Sequence, residues 1–130
     1  MKNDHRPVNV DPGDLARFAW PVTAIASILH RVAGVVLFVA IAFALYAFDL
    51  SMSSEEGFER LKAMLGSPIG MLITFGLLAA LAYHFVAGIK HLLLDLEVGD
   101  TLEGGRFASR TTLLAGGILI VLAGIWVVQF

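Results

Sequence analysis

Residues 111–130 read TTLLAGGILIVLAGIWVVQF, a run that contains no charged side chain. At 1.5 Å of rise per residue, a helix of about 20 residues is about 30 Å long, which equals the hydrocarbon thickness of a bilayer. Val32–Phe48 and Ala63–Ile89 are two further runs without Asp, Glu, Lys or Arg. The first of these reaches spanning length once residues 21–29 are added. We therefore predict three transmembrane helices, at about residues 21–48, 68–96 and 111–130.

The composition of the whole chain also indicates a membrane protein. Of its 130 residues, 58% are hydrophobic and only 15% are charged, whereas about a quarter are charged in ordinary soluble domains. We therefore expect an all-α integral membrane fold. The net charge of −2 gives no reason to expect nucleic acid as a partner. The chain has no cysteine, which excludes disulfides, thiolate-bound iron–sulfur clusters and covalent c-type haem within it.

The polar segments divide the chain. Residues 1–20 form a charged lead, unlike a cleavable signal with an apolar core, before the transmembrane domain of residues 21–130. Between the predicted helices, Ser54-Glu55-Glu56 resembles the start of a short surface helix. We expect a second polar loop at residues 99–110, interrupted by Gly104-Gly105.

Lysine and arginine are unevenly distributed, and this predicts the orientation of the helices. The loop between the first two helices holds only Arg60 and Lys62, and the C-terminal end holds none. The others lie in the lead, early in the first helix, or around the second loop: Lys2, Arg6, Arg17, Arg31, Lys90, Arg106 and Arg110. Because basic residues concentrate in cytoplasmic segments, we expect a cytoplasmic N-terminus and an external C-terminus.

The first predicted helix contains two ionisable side chains, which are costly in a membrane and indicate function. They are His30 and Arg31, and Ser27 lies one turn before the arginine. Ser27 and Arg31 are at positions i and i+4, so they project from one face. Arg31 is roughly 15 Å along the helix from Pro21, a depth that favours a polar ligand. The alternative is an arginine that reaches the headgroups or pairs with another helix for assembly alone.

The second predicted helix carries a polar stripe. His84, Gly88, His91 and Asp95 follow the i, i+4, i+7, i+11 pattern. His84 is roughly 16 Å in from Asp95, where a neutral imidazole suits an axial ligand of iron. Gly88 leaves room where a flat macrocycle or another helix comes close, and His91 and Lys90 are candidates to meet acidic groups of such a macrocycle. The alternatives are a His84 hydrogen-bonded to a neighbouring helix and an interfacial His91.

The two polar clusters share one half of the membrane, because the second helix leaves toward the side from which the first enters. A site for an acidic cofactor and a lipid-soluble substrate with a polar head can be built there. If a haem is ligated by two histidines and His84 is one of them, the second ligand comes either from His30 or from another chain.

The chain resembles the cytochrome b large anchor subunit of succinate dehydrogenase, closest to the bacterial form in which two three-helix anchors share one b haem. The resemblance rests on Ser27-x-x-His30-Arg31-x-x-Gly34 and, about fifty residues later, on His84-x-x-x-Gly88-Ile-Lys-His91-x-x-x-Asp95. It extends to Arg6-Pro7-Val8-Asn9 and to the Ser54-x-Glu56-Gly57-Phe58-Glu59 loop. Lys90 is a departure, since the family often has arginine there.

The resemblance implies a cofactor, a substrate and their residues. His84 is the implied axial ligand of haem b, and the sibling anchor supplies the other ligand. Ser27 and Arg31 are the implied lining of the ubiquinone pocket. The implied neighbours of the haem propionates are His30, Arg31 and His91.

The resemblance also implies an assembly. The expected partners are a second small membrane anchor, an iron–sulfur subunit and a flavoprotein subunit, in a bacterial inner membrane, and a higher oligomer of the complex stays open. The chain itself is expected to lack the flavin and iron–sulfur centres. Two alternatives remain: a fumarate reductase anchor that uses menaquinone, and a haem-free assembly subunit that uses Arg31 and His84 for helix pairing.

Overall fold

The computed structural model describes residues 12–15 and 17–129, and these form helices, turns and short connections without strands. The helices are α1 (Pro12–Leu15), α2 (Val22–Ser53), α3 (Glu55–Leu65), α4 (Pro68–Asp95) and α5 (Leu102–Gln129). α2, α4 and α5 are long and apolar enough to cross a membrane. The prediction of an all-α membrane fold with three spanning helices is thereby confirmed, while residues 1–11 of the predicted lead lie outside the described residues.

α2 is longer than its apolar run and continues five residues beyond Phe48, to Ser53. The polar residues after Phe48 do not end the helix, because a polar side chain leaves the backbone hydrogen bonds of the helix intact. The hydroxyls of Ser51 and Ser53 donate to the carbonyls of Phe48 and Leu50, at 2.7 and 2.8 Å. These bonds satisfy carbonyl groups near the helix end.

The short surface helix expected after Ser54 is α3. Ser54 is its N-cap, and its Oγ accepts the N–H of Gly57 at 2.9 Å. Glu55 and Glu56 lie in the first turn and Lys62 in the last, which suits the helix dipole. α3 therefore has its own start and stop signals outside the apolar helices.

α4 begins and ends close to the predicted positions. The N-cap Ser67 accepts the N–H of Gly70 at 3.0 Å, and Pro68 occupies the first turn, where a missing N–H costs little. The helix ends at Asp95, one residue before the predicted end.

α5 begins at Leu102, nine residues before the predicted start. Thr101 Oγ1 accepts the N–H of Gly104 at 3.0 Å and so caps the first turn. Gly104-Gly105, expected to interrupt a loop, lies within the helix instead, and a Cβ on Gly104 would clash with the carbonyl of Gly99. The prediction of a loop through residue 110 is therefore wrong. Charged residues keep this segment out of the hydrocarbon, but they do not prevent it from forming a helix. The connection is a tight turn in which Gly99 has φ +77°.

α4 is the central helix, and it packs on both α2 and α5. The buried positions are mostly small: Ala26, Ala33 and Ala40 on α2, Ala87 on α4, and Gly116 on α5. Small residues let helices approach closely in a membrane, where no hydrophobic effect drives them together. Most large apolar side chains point outward, so the outer surface suits lipid or other subunits.

Candidate functional site

Three imidazole rings come together where α2 packs on α4. The centroid of the His30 ring is 4.2 Å from that of His84 and 5.0 Å from that of His91, with interplanar angles of 31° and 28°. Because His84 and His91 lie two turns apart on α4, the His30 ring sits between them. A Cβ on Gly88 would be 3.9 Å from His30 Nε2, so within this chain the room left by the glycine faces a side chain of another helix.

His84 is oriented by the backbone of α2. Its Nδ1 lies 3.2 Å from the carbonyl oxygen of His30. A carbonyl only accepts, so Nδ1 carries the proton, and in the neutral ring Nε2 keeps its lone pair. Gly34 permits this approach, since a Cβ there would be 3.1 Å from His84 Cε1. Gly34 is thus a site residue whose role the sequence left unassigned, although it lies one helical turn after His30.

His30 contributes a buried polar atom that needs a partner. Its Nε2 is buried and has no hydrogen bond to any of the described residues. A buried polar group left in this state costs about 1–3 kcal/mol. The chain itself encloses this atom, so a partner from outside could reach it only if the surrounding side chains moved.

His30 and His84 are unsuited to ligate the same iron from opposite sides. A metal–nitrogen bond to histidine is about 2 Å long, so the two nitrogens alone would be about 4 Å apart and the ring centres farther. The observed centroid distance of 4.2 Å, with rings tilted by only 31°, leaves no space for a macrocycle between them. Of the two sources considered for a second ligand, the geometry favours another chain.

Ser27 and Arg31 form a pair on α2, as their spacing predicts. An Arg31 terminal nitrogen donates to Ser27 Oγ at 3.3 Å. Arg31 is exposed at the surface of this chain while Ser27 is half-buried, so the pair opens outward. Arg31 directly follows His30 along α2, which links the pair to the histidine cluster.

Tyr83 is a site residue that the sequence analysis missed. It is buried, and its hydroxyl donates to the carbonyl of Ala26 at 3.0 Å. Its ring packs on α5, where a Cβ on Gly116 would be 2.8 Å from Cδ2. Tyr83 therefore ties three helices together beside both Ser27 and His84. The sequence did contain a signal for Tyr83, because the phenol of a tyrosine in an apolar helix needs a hydrogen-bond partner.

Lys90 occupies a different face of α4 from the histidine stripe. It is buried in one row with Tyr83 and Ala87, and it lines a cavity shared with α5. The i, i+7 relation of Tyr83 and Lys90 brings both to the α5 side. Lys90 therefore lies toward α5, although it is the sequence neighbour of His91.

No group of three or more His, Cys, Asp or Glu side chains among the described residues is arranged to hold a metal ion, and this includes the three stacked histidines. A haem does not need one, because the macrocycle supplies the equatorial ligands and the protein supplies axial ligands. His84, with its proton held at Nδ1, fits an axial position.

The fold and the site define a class: a helical membrane protein whose spanning helices hold a histidine cluster next to a serine–arginine pair. The family described as "Succinate dehydrogenase/Fumarate reductase transmembrane subunit" matches residues 2–125, and the chain belongs to this family.

Several relatives match over most of their length. The succinate dehydrogenase cytochrome b556 subunit of Coxiella burnetii is 36% identical over 126 residues, covering 96% of this chain and 98% of the relative. The b556 subunit of Paracoccus denitrificans is 29% identical over 78% of each chain. The succinate dehydrogenase cytochrome b560 subunit of Porphyra purpurea is 31% identical over 94% of this chain and 96% of the relative. The resemblance predicted from the two polar motifs is thus confirmed.

Proposed function

We propose that the chain binds haem b, lines a ubiquinone site and passes electrons from succinate oxidation to the quinone, as the cytochrome b anchor of a succinate:ubiquinone oxidoreductase. The observation that carries the proposal is the bond from His84 Nδ1 to the His30 carbonyl. When bound, haem b supplies a one-electron centre inside the membrane. The names of the relatives, cytochrome b subunits of succinate dehydrogenase, support the proposal.

His84 is the axial ligand in this proposal. Histidines that bind metals usually donate their other ring N–H to a carbonyl or carboxylate, which fixes the ring and raises its basicity. The His30 carbonyl performs this task from α2, and the small Gly34 makes room for it. A second histidine ligand would be supplied by the sibling anchor, since His30 is already stacked on His84.

His30, Arg31 and His91 form the environment of the haem propionates. Nε2 of His30 is enclosed and unpartnered, so it would donate to a carboxylate only after the ring turned outward. His91 lies against His30 at 5.0 Å between ring centroids, and Arg31 follows His30 directly along α2. A carboxylate in this setting accepts charge-assisted hydrogen bonds, which are stronger than neutral ones.

Ser27 and Arg31 hold the quinone headgroup. Both carry hydrogen-bond donors on one face of α2, and their mutual bond of 3.3 Å sets them close together. Arg31 stabilises the negative charge that develops on the quinone oxygens during reduction, and Ser27 adds a neutral donor. The outward exposure of Arg31 suits a pocket completed by the iron–sulfur subunit and the sibling anchor.

The exposed apolar faces of the helices indicate where the other subunits of the complex bind. A flavoprotein and an iron–sulfur subunit dock on the cytoplasmic side of a bacterial inner membrane, and a second small anchor covers the apolar helix faces. The N-terminus is then cytoplasmic and the C-terminus periplasmic. Exposed apolar side chains such as Phe38 and Phe43 agree with a chain surrounded by lipid and partner helices.

Replacement of His84 by Tyr in the intact complex tests the proposal. We expect an altered low-spin b-type absorption spectrum and a shifted haem midpoint potential, because the axial ligand changes. Complete loss of haem is not required, since His91 lies on the same stripe. Phe85→Leu, at an outward-facing neighbour, is the control and should leave the spectrum unchanged. An unaltered spectrum in His84→Tyr would contradict the assignment.

The family description also includes fumarate reductase, which makes a menaquinone-dependent anchor the second candidate. The same residues would serve a menaquinone-dependent anchor, because the direction of electron transfer depends on the cofactor potentials and on the quinone supplied. Steady-state rates of purified complex with ubiquinone and menaquinone analogues separate the two. Faster fumarate reduction by menaquinol than succinate oxidation by ubiquinone would favour the second candidate.

A further inference from the structure

A cavity of about 340 Å³ lies between the C-terminal part of α4 and the start of α5. The turn at Gly99 closes it at one end, and the wall is mainly apolar. Its main apolar contributors are Val86, Ile89, Leu93, Leu94, Phe107 and Ala108. Ile89, Leu93 and Phe107 are also exposed on the outside of the chain, so in a membrane the mouth of the cavity faces lipid.

Among the described residues that line the cavity, Lys90 is the one basic residue, and none is acidic. Only 8% of Lys90 is exposed, but its ammonium nitrogen is not among the buried polar atoms that lack a partner, so the stem is buried and the ammonium reaches the surface. A lysine can bury its hydrocarbon stem along an apolar wall while its charged end stays at the surface. The cavity therefore combines a cation that can pair with an anion and a wall suited to hydrocarbon.

The depth of Lys90 fits the membrane surface. It lies five residues before the end of α4 at Asp95, hence roughly 7–8 Å along the helix axis. That is the level of the headgroup and glycerol region rather than the middle of the hydrocarbon. Basic pockets between spanning helices near the membrane surface bind anionic lipid headgroups.

We propose that this cavity binds one anionic phospholipid of the surrounding membrane. The phosphate pairs with Lys90, and an acyl chain lies along the apolar wall toward Val86 and Ile89. A free phosphate would meet the charge but leave the apolar wall uncovered, and a neutral lipid would leave the ammonium without a counter-charge. The cavity lies on the α5 side of α4, whereas the histidine rings meet on the α2 side, and the proposal rests on neither haem nor quinone binding.

The test uses the complete complex with its sibling subunits, purified in mild detergent and analysed for co-purified phospholipid by mass spectrometry. Lys90→Gln should lower the retained anionic phospholipid about fivefold, equivalent to about 1 kcal/mol for one lysine near the surface. Lys90→Arg should retain it, because the charge remains. Lys62→Gln is the matched control, since Lys62 is exposed and paired with Glu59 at 3.7 Å.

A second variant tests the apolar wall without changing any charge. Ala108→Phe fills the cavity from α5 and should lower phospholipid retention while Lys90 is still present. In delipidated wild-type complex, short-chain phosphatidylglycerol should raise the melting temperature, and inorganic phosphate at equal concentration should not.

Three outcomes would overturn the proposal. Equal anionic phospholipid in wild type and Lys90→Gln would mean that Lys90 has a protein partner or reaches bulk water. Equal stabilisation by inorganic phosphate would make the site one for free anions. Loss of haem with unchanged phospholipid in Lys90→Gln would place Lys90 at the propionates.

Discussion

The bond between Arg31 and Ser27 joins a cation and a hydroxyl at 3.3 Å on a face of α2 that opens away from the chain. Each group retains donor capacity for a ligand, since a guanidinium has five N–H groups and a hydroxyl can rotate. The hydrogen bonds that the two residues can donate to a ligand differ in strength. A neutral hydrogen bond contributes about 0.5–1.5 kcal/mol, and a charge-assisted one about twice that.

Ser27→Ala and Arg31→Leu should therefore lower ubiquinone reduction, the arginine variant more strongly. Both complexes should still transfer electrons from succinate to a soluble artificial acceptor that bypasses the quinone. The measurement is the ratio of the two activities in membranes from each variant. If the Ser27→Ala complex keeps the wild-type ratio, Ser27 does not line the quinone pocket. If both activities fall together in Arg31→Leu, Arg31 serves assembly.

At the residue scale, prediction from sequence succeeds where a contact stays within one helix. The Ser27–Arg31 contact follows from i, i+4 spacing alone, and the structure contains it. The insertion of His30 between His84 and His91 depends on how α2 and α4 are rotated against each other. That rotation is set by small-residue packing, which the spacing of polar residues does not encode. The placement of Lys90 on the α5 side of α4 likewise depends on how the helices pack.

At the scale of helices, aromatic rings packed on glycines join α4 to α5. Tyr83 packs on Gly116, and Phe75 packs on Gly124, where a Cβ would be 3.2 Å from the ring. Both pairs let the helix backbones come close without a hydrophobic driving force. The length of α5 was underestimated because its first nine residues include the charged Glu103, Arg106 and Arg110, although Thr101 provides a cap that the sequence contains.

Gly116→Ala should destabilise the purified complex, and the adjacent Gly117→Ala should not. A Cβ at Gly116 would be 2.8 Å from Tyr83 Cδ2, whereas a Cβ at Gly117 would have nothing within 4 Å among the described residues. Overpacking of this kind costs about 1–3 kcal/mol. The melting temperature of the complex is the readout. Equal stability of the two variants would show that Tyr83 shifts without cost.

At the scale of the whole molecule, the chain has little interior. Its buried apolar residues are few, and large side chains such as Phe38, Phe43 and Phe107 face outward. The three spanning helices were readily predicted because each needs only an uncharged apolar run. The partners that cover these helices leave a weaker signal in the chain, visible in the exposed Arg31.

Expressed without its siblings, the chain should be degraded or aggregate in the membrane. Arg31 would face lipid, which costs a few kcal/mol for a charge at depth. Immunoblots of membranes, with size-exclusion chromatography of the extracted protein, measure this against a strain that expresses all subunits. Recovery of a monodisperse, haem-loaded single chain would contradict the expectation and would reopen His30 as the second ligand.

The acceptor that orients His84 is a main-chain carbonyl, and this has a genetic consequence. In α2 the same carbonyl of His30 also accepts the amide of residue 34 in the regular helical pattern. No substitution of the side chain at position 30 deletes that oxygen, and it neither gains nor loses a proton across the physiological range. The orientation of His84 is therefore vulnerable to mutation mainly at Gly34, where a single added methyl group would stand between the two helices.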